Sequence, residues 1–454
     1  MPSRRNMERL MNKDGAPTVN IRLKNALKRF GQWGTSYRCG RPYRSTRRAP
    51  ARVGKWGGAL AALVLLVLPS TPLSAEERFR FEYSEGEQYR ILSTVEQNVF
   101  IDGMFSHRNN ALNRISVKVE ETKDGSGFID FNYSHSNEAT SRSGVYEYGK
   151  EFSSEFWRDE RGYFTIDDSH LVPPTQDVPI VPEGPVEEGD TWSATAKEVY
   201  DLESILGVEG IIRVDAPVQY EYLGYKEWKD GEYPAFSINY NVFHRPTERS
   251  NDPWYPVRIT GTADQTYYWD PDRGRARGYE ESYVFVFNVA NGQTIQFEGT
   301  ASAEVLNAEP LDREQVQEDV EREIEDREVE DASVSSNEDG VTITLDNVRF
   351  PPDSAELIAS EREKLKSIAE ILRKYPERDI LITGHTALAG TEQGRQELSE
   401  ARAAAVGNFL IDEGVRNRER LLYRGRGARD PVADNDTEEG MRKNRRVEIL
   451  IMEN

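Results

Sequence analysis

The most distinctive chemical feature of the sequence is an arginine on an apolar face of a predicted helix. Leu398, Arg402, Ala405 and Phe409 follow one another at steps of four, three and four residues, which places them on one helix face. Burying an unpaired guanidinium is costly, so Arg402 needs an anionic partner. Its planar fork of donors fits a carboxylate bidentately, and Ser399 lies on the adjoining face. The partner is either the carboxylate of a ligand or an acid of the protein itself.

No pattern of residues predicts catalysis, metal binding or a cofactor. Four histidines are scattered without a His-x-x-x-His or similar ligand spacing: His107, His135, His170 and His244. His385 follows a predicted strand, and no nucleophile stands beside it in the sequence. The single cysteine, Cys39, precedes the one strongly apolar stretch of the chain. We therefore expect a non-enzymatic protein that uses neither a metal nor a cofactor.

Alternating strands and helices around Arg402 define the C-terminal part, residues 340–454. Short apolar runs predict strands at 341–345, 379–384, 421–425 and 446–451. One helix is expected to begin at Asp353, with Glu356 completing a capping box, and to end before Pro376. A second helix is expected from about Gln393 to Asp412. This βαβαββ order predicts an α/β domain with a mixed sheet covered by helices.

Motifs spread over about 110 residues of this part give it a family resemblance. In chain order they are Val348-x-Phe350, Ser354-Ala355-x-Leu357, Gly384-His385-Thr386, Gly390, Leu398-Ser399-x-x-Arg402-Ala403, Gly414, Gly425-x-Gly427-x-x-x-Pro431 and Asn444-Arg445-Arg446-Val447-Glu448. Together they resemble the OmpA-like peptidoglycan-binding domain of bacterial envelope proteins. The resemblance implies that Arg402 holds the carboxylate of the diamino acid in the peptidoglycan stem peptide. Four further residues would surround that site: Thr386, Ser399, Asn444 and Arg445.

Two positions depart from the family pattern. The family has an aspartate after Gly-His-Thr, which takes the ammonium of the diamino acid, and here that position is Ala387. The family usually has an asparagine where this chain has Arg395. The resemblance therefore implies either a peptidoglycan without that zwitterionic centre, for example one with ornithine or lysine, or a scaffold that no longer binds the wall. The second alternative is a structural or protein-interaction module with other envelope proteins as partners.

Charge separates the first 75 residues from the rest of the chain. The 454 residues carry 58 Lys and Arg against 79 Asp and Glu, but residues 1–75 contain fifteen bases and two acids. The acidic remainder lacks the basic surface that nucleic-acid binding requires, so we expect no nucleic-acid partner. Only one stretch is apolar enough to enter a bilayer, which excludes a multi-pass helical membrane protein.

That apolar stretch predicts export. The run from Gly58 to Leu68 is shorter than the ~20 residues of a membrane span and has the length of a signal-peptide core. Residues 53–75 form the expected signal peptide, with cleavage after Ala75. Residues 1–52 are then either an over-extended gene model or a disordered basic leader. The predicted location is the periplasm or outer membrane of a diderm bacterium.

Residues 76–307 predict an antiparallel β-rich region. Period-two alternation recurs with turn signals such as Asn291-Gly292, which favours a sandwich, a curved sheet or a barrel. Prolines cluster between 173 and 185 and predict an ordered loop. The ligand of this region and its relation to the membrane stay open. Residues 308–339 predict an acidic helical linker with a thin apolar stripe of Val316, Val320 and Ile324.

Overall fold

The computed structural model describes residues 76–138, 145–248, 250–346, 348, 350–351 and 354–453. The expected leader, residues 1–52, and the expected signal peptide, residues 53–75, lie outside these described residues. No helix within the described ranges has the length and apolar character needed to cross a membrane.

Twelve strands and one short helix make up the described part of residues 76–307, here called the β region. They are β1 (Gln88–Ile101), β2 (Met104–Lys123), β3 (Ser126–Glu138), β4 (Tyr146–Arg158), β5 (Phe164–Ile166), β6 (Thr175–Gln176), β7 (Thr191–Asp201), α1 (Leu202–Leu206), β8 (Ile211–Trp228), β9 (Gly231–His244), β10 (Pro256–Asp270), β11 (Arg275–Val289) and β12 (Thr294–Asn307).

The twelve strands form one large antiparallel sheet. Its order is β5-β4-β3-β2-β1-β12-β11-β10-β9-β8-β7-β6, so β1 pairs with both β2 and the last strand, β12. The Asn291-Gly292 signal lies at the tip of the β11–β12 hairpin, where Gly292 has a φ of 90°. The sequence left a sandwich, a curved sheet or a barrel open, and the observed architecture is a large open sheet.

Aromatic side chains fill the core of the β region. Trp192 stacks on Tyr220 with ring centroids 5.3 Å apart and meets Phe236 edge to face. The proline-rich stretch closes this core, because the Trp192 indole donates to the carbonyl of Ile180 at 2.7 Å and the Ile180 amide donates to the Tyr220 hydroxyl at 3.2 Å. Ile180 and Val181 are fully buried. The clustered prolines thus belong to an ordered, packed loop.

The expected linker and the C-terminal part, residues 308–453 and together called the C-terminal domain, contain five strands and four helices among their described residues, plus a 3₁₀ turn at Arg418–Arg420. They are α2 (Arg313–Asp326), β13 (Ala332–Asn337), β14 (Gly340–Asp346), α3 (Ala359–Leu372), β15 (Ile380–His385), α4 (Glu392–Asp412), β16 (Leu421–Gly427), α5 (Glu438–Asn444) and β17 (Arg446–Met452). The sheet order is β13-β14-β17-β15-β16; the β15–β16 pair is parallel and the other pairs are antiparallel.

This order differs from the predicted βαβαββ by one additional helix, and the start of one predicted helix differs as well. The short helix α5 lies between the last two strands, because Thr437 caps a helical turn by accepting from the Gly440 amide at 3.0 Å. Helix α3 begins at Ala359, and its N-cap residue Ile358 provides no side-chain cap. The expected start, Asp353, lies outside the described residues, but residues 354–358 are described and are not helical. A capping-box spacing alone therefore mispredicted where the helix starts.

The segment expected to be a solvated linker packs against the C-terminal sheet. Val316, Val320 and Ile324 of α2 are buried in the same apolar cluster as Ile343 of β14. Strand β13, from the end of this segment, pairs with β14 along its whole length. The C-terminal sheet thus covers the apolar stripe of α2, while the charged face of the helix stays exposed.

The β region and the C-terminal part meet along an edge strand. Strand β4 pairs with β16 in parallel through Tyr146–Leu422 and its neighbour pair, which joins all seventeen described strands into one sheet. Beside this contact, the carboxylate of Asp379 accepts hydrogen bonds from Arg90 and Arg114 of the β region, and from Arg420 at 2.8 Å. A buried ion cluster therefore spans the junction.

Candidate functional site

Strand β15 and helix α4 position the predicted site residues. The apolar residues Ile380, Leu381 and Ile382 of β15 are buried in the sheet. Thr386 and Ala387 follow directly after the last residue of this strand. The Thr386 amide donates to the carbonyl of Gly427 at 2.8 Å, which ties the end of β15 to the end of β16. Helix α4 then begins behind Thr391, whose side chain accepts from the Gly394 amide at 3.1 Å.

Ser399 holds helix α4 against the two strand ends. It is fully buried; its hydroxyl donates to the Gln396 carbonyl at 2.8 Å and accepts from the Gly427 amide at 2.9 Å. A Cβ on Gly384 would lie 2.3 Å from the Ser399 carbonyl oxygen, so glycine allows this close approach. The Ser399 hydroxyl thus makes both of its hydrogen bonds with backbone groups of the protein itself.

Asn444 holds the loop after β16. Its side-chain oxygen accepts from the amides of Val432 at 2.8 Å and Ala433 at 3.0 Å, and its amide group donates to the Ala433 carbonyl and to Asn435 Oδ1. Asn435 Oδ1 also accepts from the Leu388 amide at 3.0 Å. Asn444 therefore joins this loop to the one that carries Ala387. No hydrogen bond or ion pair involves the side chain of its neighbour Arg445 within the described ranges.

Arg402 lies at the margin of the buried helix face and not on it. The buried side of α4 runs through Ser399, Ala403, Val406 and Leu410, whereas Arg402 is half-buried. Its predicted neighbours Leu398 and Ala405 are half-buried as well, while Phe409 is buried. The four-three-four spacing thus identified a flank of the apolar face.

The guanidinium of Arg402 already has partners within the protein. Its Nε donates to the Ser354 carbonyl at 3.2 Å, and its central carbon lies 4.9 Å from the centre of the Phe350 ring. The guanidinium thus lies next to the segment that precedes α3. A ligand carboxylate at Arg402 would have to share or displace the Ser354 contact.

Ala387 and Arg395 occupy the two positions that depart from the family pattern. Ala387 is buried, and its methyl group supplies no charge at the position where the family pattern has a carboxylate. Arg395 is half-buried and its Nη1 donates to the Gly390 carbonyl at 2.7 Å, which anchors the loop between β15 and α4. The hydroxyl of Thr386 is buried and has no hydrogen-bond partner among the described residues. Two neighbouring loops, the one between β15 and α4 and the one after β16, therefore connect four of the predicted residues: Thr386, Arg395, Ser399 and Asn444.

A charged pair under the site was not assigned a role from the sequence. Glu448 of β17 accepts from Arg446 at 2.8 Å and lies 3.3 Å from His385 Nε2. Burial raises the pKa of Glu448, but His385 and Arg446 together outweigh it and hold that pKa at about 2. The signal was present, since Arg446 and Glu448 alternate on one face of a predicted strand beside the end of β15. In the described part of the chain, no three His, Cys, Asp or Glu residues cluster as metal ligands.

The structure therefore defines an α/β domain with a polar candidate site at two loops, the β15–α4 loop and the loop after β16. The described residues of this site form no recognisable catalytic arrangement. Residues 349–445 belong to the OmpA family. The family match covers none of the β region.

Several named proteins are similar to this part of the chain. The probable lipoprotein YiaD of Escherichia coli is 34% identical over 120 residues, which cover 26% of this chain and 54% of the relative. The peptidoglycan-binding protein ArfA of Mycobacterium tuberculosis is 36% identical over 104 residues, which cover 23% of this chain and 32% of the relative. The chain thus spans about half or less of the length of these curated relatives.

A solved structure is also similar. The cell wall anchor of the T6SS from Pseudomonas aeruginosa is 28% identical, and the match covers 31% of this chain and 99% of that chain with a TM-score of 0.27.

Proposed function

We propose that the C-terminal domain attaches an exported envelope protein to peptidoglycan without covalent chemistry. The observation that carries the proposal is Arg402, a half-buried guanidinium within an OmpA-family segment whose relatives include a peptidoglycan-binding protein. Arg402 supplies the anion contact, because a bidentate guanidinium–carboxylate pair is the strongest neutral-pH recognition available to this site. The ligand is the peptidoglycan stem peptide, in the periplasm or at the outer membrane.

The remaining predicted residues take two different roles in this proposal. The buried hydroxyl of Thr386 has no partner in the described ranges, so it can bond to a ligand group that enters the site. The half-buried Arg445 side chain makes no hydrogen bond there and can contact a ligand directly. Ser399 and Asn444 are saturated by the protein and position the loops. Of these four residues, Thr386 and Arg445 can therefore contact the ligand, and Ser399 and Asn444 shape the site.

Ala387 changes the specificity of the proposed site. A methyl group cannot neutralise the ammonium of a diamino acid, so a diaminopimelate-type wall loses one charge-assisted contact. That loss weakens binding by roughly one to two powers of ten. A wall whose stem peptide lacks the zwitterionic centre loses nothing at this position.

A second candidate function is a scaffold that contacts other envelope proteins and not the wall. The contacts of Arg402 with Ser354 and Phe350 favour it, because they occupy the guanidinium without any ligand. In that case the OmpA fold serves only to hold the β region and its partners.

Co-sedimentation with purified walls separates the two candidates. The protein should pellet with the wall of its source organism, and Arg402→Ala should reduce the bound fraction at least tenfold. Arg322→Ala is the matched control, since that side chain is 60% exposed on α2. Ala387→Asp should raise affinity for a diaminopimelate wall about tenfold. If the unsubstituted protein pellets with neither wall, the scaffold function replaces wall attachment.

A further inference from the structure

A cavity of about 370 Å³ lies between the β region and the C-terminal domain, away from the proposed wall site. Its floor is one face of strands β1 to β4. The register places Arg90 opposite Ser116, and Arg114 opposite Ser134, on that face. Asp379 closes the cavity from the C-terminal domain. The volume is in the range that holds a small polar molecule.

Positive charge exceeds negative charge at the deep end of this cavity. Arg90 and Arg114 have side chains that are 10% and 11% exposed, and together with Arg420 they share the single carboxylate of Asp379. The Glu377 carboxylate lies 3.7 Å from Arg420 on a side chain that is 87% exposed, and its carbonyl accepts from Arg420 and, at 3.5 Å, from Arg90. Three guanidiniums therefore converge on one buried acid.

The other acids that line the cavity already have their own partners. Glu151 accepts a hydrogen bond from the Tyr148 hydroxyl. Glu453 accepts from the Leu311 amide at 2.8 Å and lies 3.6 Å from Arg313. Neither carboxylate contacts Arg90 or Arg114, so the excess positive charge at the deep end is not neutralised by the lining.

The two arginines also have unused hydrogen-bonding capacity. Arg90 Nε and Arg114 Nη1 are buried and have no partner within the described ranges. Burial lowers the pKa of Arg90 to about 10, and Arg420 adds to the effect; burial and the nearby Arg90 lower the pKa of Arg114 to about 9. An additional anion would stabilise the charged forms of Arg90 and Arg114, because it would offset their burial and mutual repulsion.

We propose that this cavity binds a compact oxyanion, a carboxylate or phosphate group of a small polar molecule, against Arg90 and Arg114. The hydroxyls of Ser116 and Ser134 lie on the same face and can donate to the bound oxygens. Leu306 and Met452 provide an apolar wall for the uncharged part of the molecule. This site is independent of peptidoglycan binding.

Isothermal titration calorimetry of the full chain with inorganic phosphate and, separately, with citrate tests the proposal. We expect saturable binding of at least one anion, and the two titrations distinguish phosphate from carboxylate recognition. Arg114→Gln should weaken that binding at least tenfold. Ser116→Phe should do the same by filling the cavity, and it leaves the ion cluster intact because Ser116 is exposed and carries no charge.

Arg108→Gln is the matched control, since this β2 arginine has a 58% exposed side chain and only a 3.9 Å contact with Glu96. It should bind as the unsubstituted chain does. The proposal is overturned if neither anion binds saturably, or if Ser116→Phe binds as tightly as the unsubstituted chain. Because Ser116→Phe removes no charge, it decides the outcome even if Arg114→Gln does not fold.

Discussion

Two buried glutamates of the β region and the buried aspartate at the junction with the C-terminal domain have opposite surroundings. In the β region, Glu198 accepts from the Thr175 hydroxyl at 2.9 Å, and Glu281 receives a 3.5 Å contact from the Tyr240 hydroxyl. No lysine or arginine contributes to the environment of either carboxyl group within the described ranges. At the junction with the C-terminal domain, Asp379 lies among three arginines.

This difference gives the two regions opposite pH dependence. Burial without a counter-ion raises the pKa of Glu198 to about 7 and that of Glu281 to about 7, so both groups are mostly protonated below about pH 7. Glu448 of the C-terminal domain has a pKa near 2 because His385 and Arg446 outweigh its burial. Glu198 and Glu281 are therefore tolerated by protonation and Glu448 by ion pairing. Asp270 of the β region, whose side chain is 8% exposed and lies 2.9 Å from Arg273, is ion-paired as well.

Removing the shared carboxylate of the junction should have the largest effect. Asp379→Ala leaves three guanidiniums without their common partner, and breaking a buried ion pair costs about 3–5 kcal/mol. We expect a clear drop in the urea midpoint, followed by tryptophan fluorescence. Asp168→Ala is the control, because that side chain is 80% exposed and lies 3.5 Å from Arg213; it should change stability by less than about 0.5 kcal/mol. Equal effects of the two variants would contradict the ion-cluster assignment.

Raising the pH should weaken the β region. A carboxyl group whose folded pKa is raised contributes no penalty below its unfolded pKa, and the penalty grows as the pH rises from that value, 4.5 here, through the folded value of about 7, above which it levels off. Stability should therefore fall by about 1–3 kcal/mol between pH 6 and pH 9. Glu198→Gln should remove much of this decline and be the more stable protein at pH 9, as measured by thermal unfolding monitored by circular dichroism.

Glu221→Gln is the matched control for that experiment. Glu221 is exposed on β8, the strand next to β7. The control should keep the full decline of the unsubstituted protein. If Glu198→Gln and Glu221→Gln give the same profile, the buried carboxyl groups do not cause the pH dependence.

Lowering the pH should weaken the C-terminal domain by a smaller amount. The pKa of Glu448 is depressed, so its stabilising contribution is complete above the unfolded value near 4.5 and is lost as the pH falls toward 2. We expect a loss of about 1–2 kcal/mol, reduced because the side chain is 27% exposed. Glu448→Gln should be less stable than the unsubstituted protein at pH 6, and most of this difference should disappear by pH 2.5. A constant difference at both pH values would exclude this linkage.

Local patterns in the sequence predicted most of the C-terminal domain. The apolar runs at 341–345 and 446–451 fall within β14 and β17, and the helix expected from Gln393 to Asp412 is α4 with one additional residue. These elements are encoded by their own periodicity. The start of α3 was missed because a capping-box spacing does not reveal other contacts of the same residues. The Ser354 carbonyl, for example, accepts from Arg402, and the helix begins only at Ala359.

The site and the junction depend on contacts that no local pattern contains. The spacing of Leu398, Arg402 and Phe409 fixed a helix face but not which edge of that face is buried. The meeting of Arg90 with Asp379 joins residues 289 positions apart. Such long-range pairs follow from the complete fold, so the packed position of α2 and the ion cluster were both invisible in the sequence.

Ser399→Ala should give the smallest effect and should separate shaping the site from binding the ligand. The substitution removes the hydroxyl that accepts from the Gly427 amide, and losing one such hydrogen bond costs about 1 kcal/mol. Wall binding should be unchanged at temperatures well below unfolding, because the second hydrogen bond of Ser399 also stays within the protein. Arg402→Ala should show the reverse, with lost binding and little change in stability. If Ser399→Ala instead loses binding at unchanged stability, the Ser399 hydroxyl contacts the ligand, and its internal hydrogen bonds are only a resting arrangement.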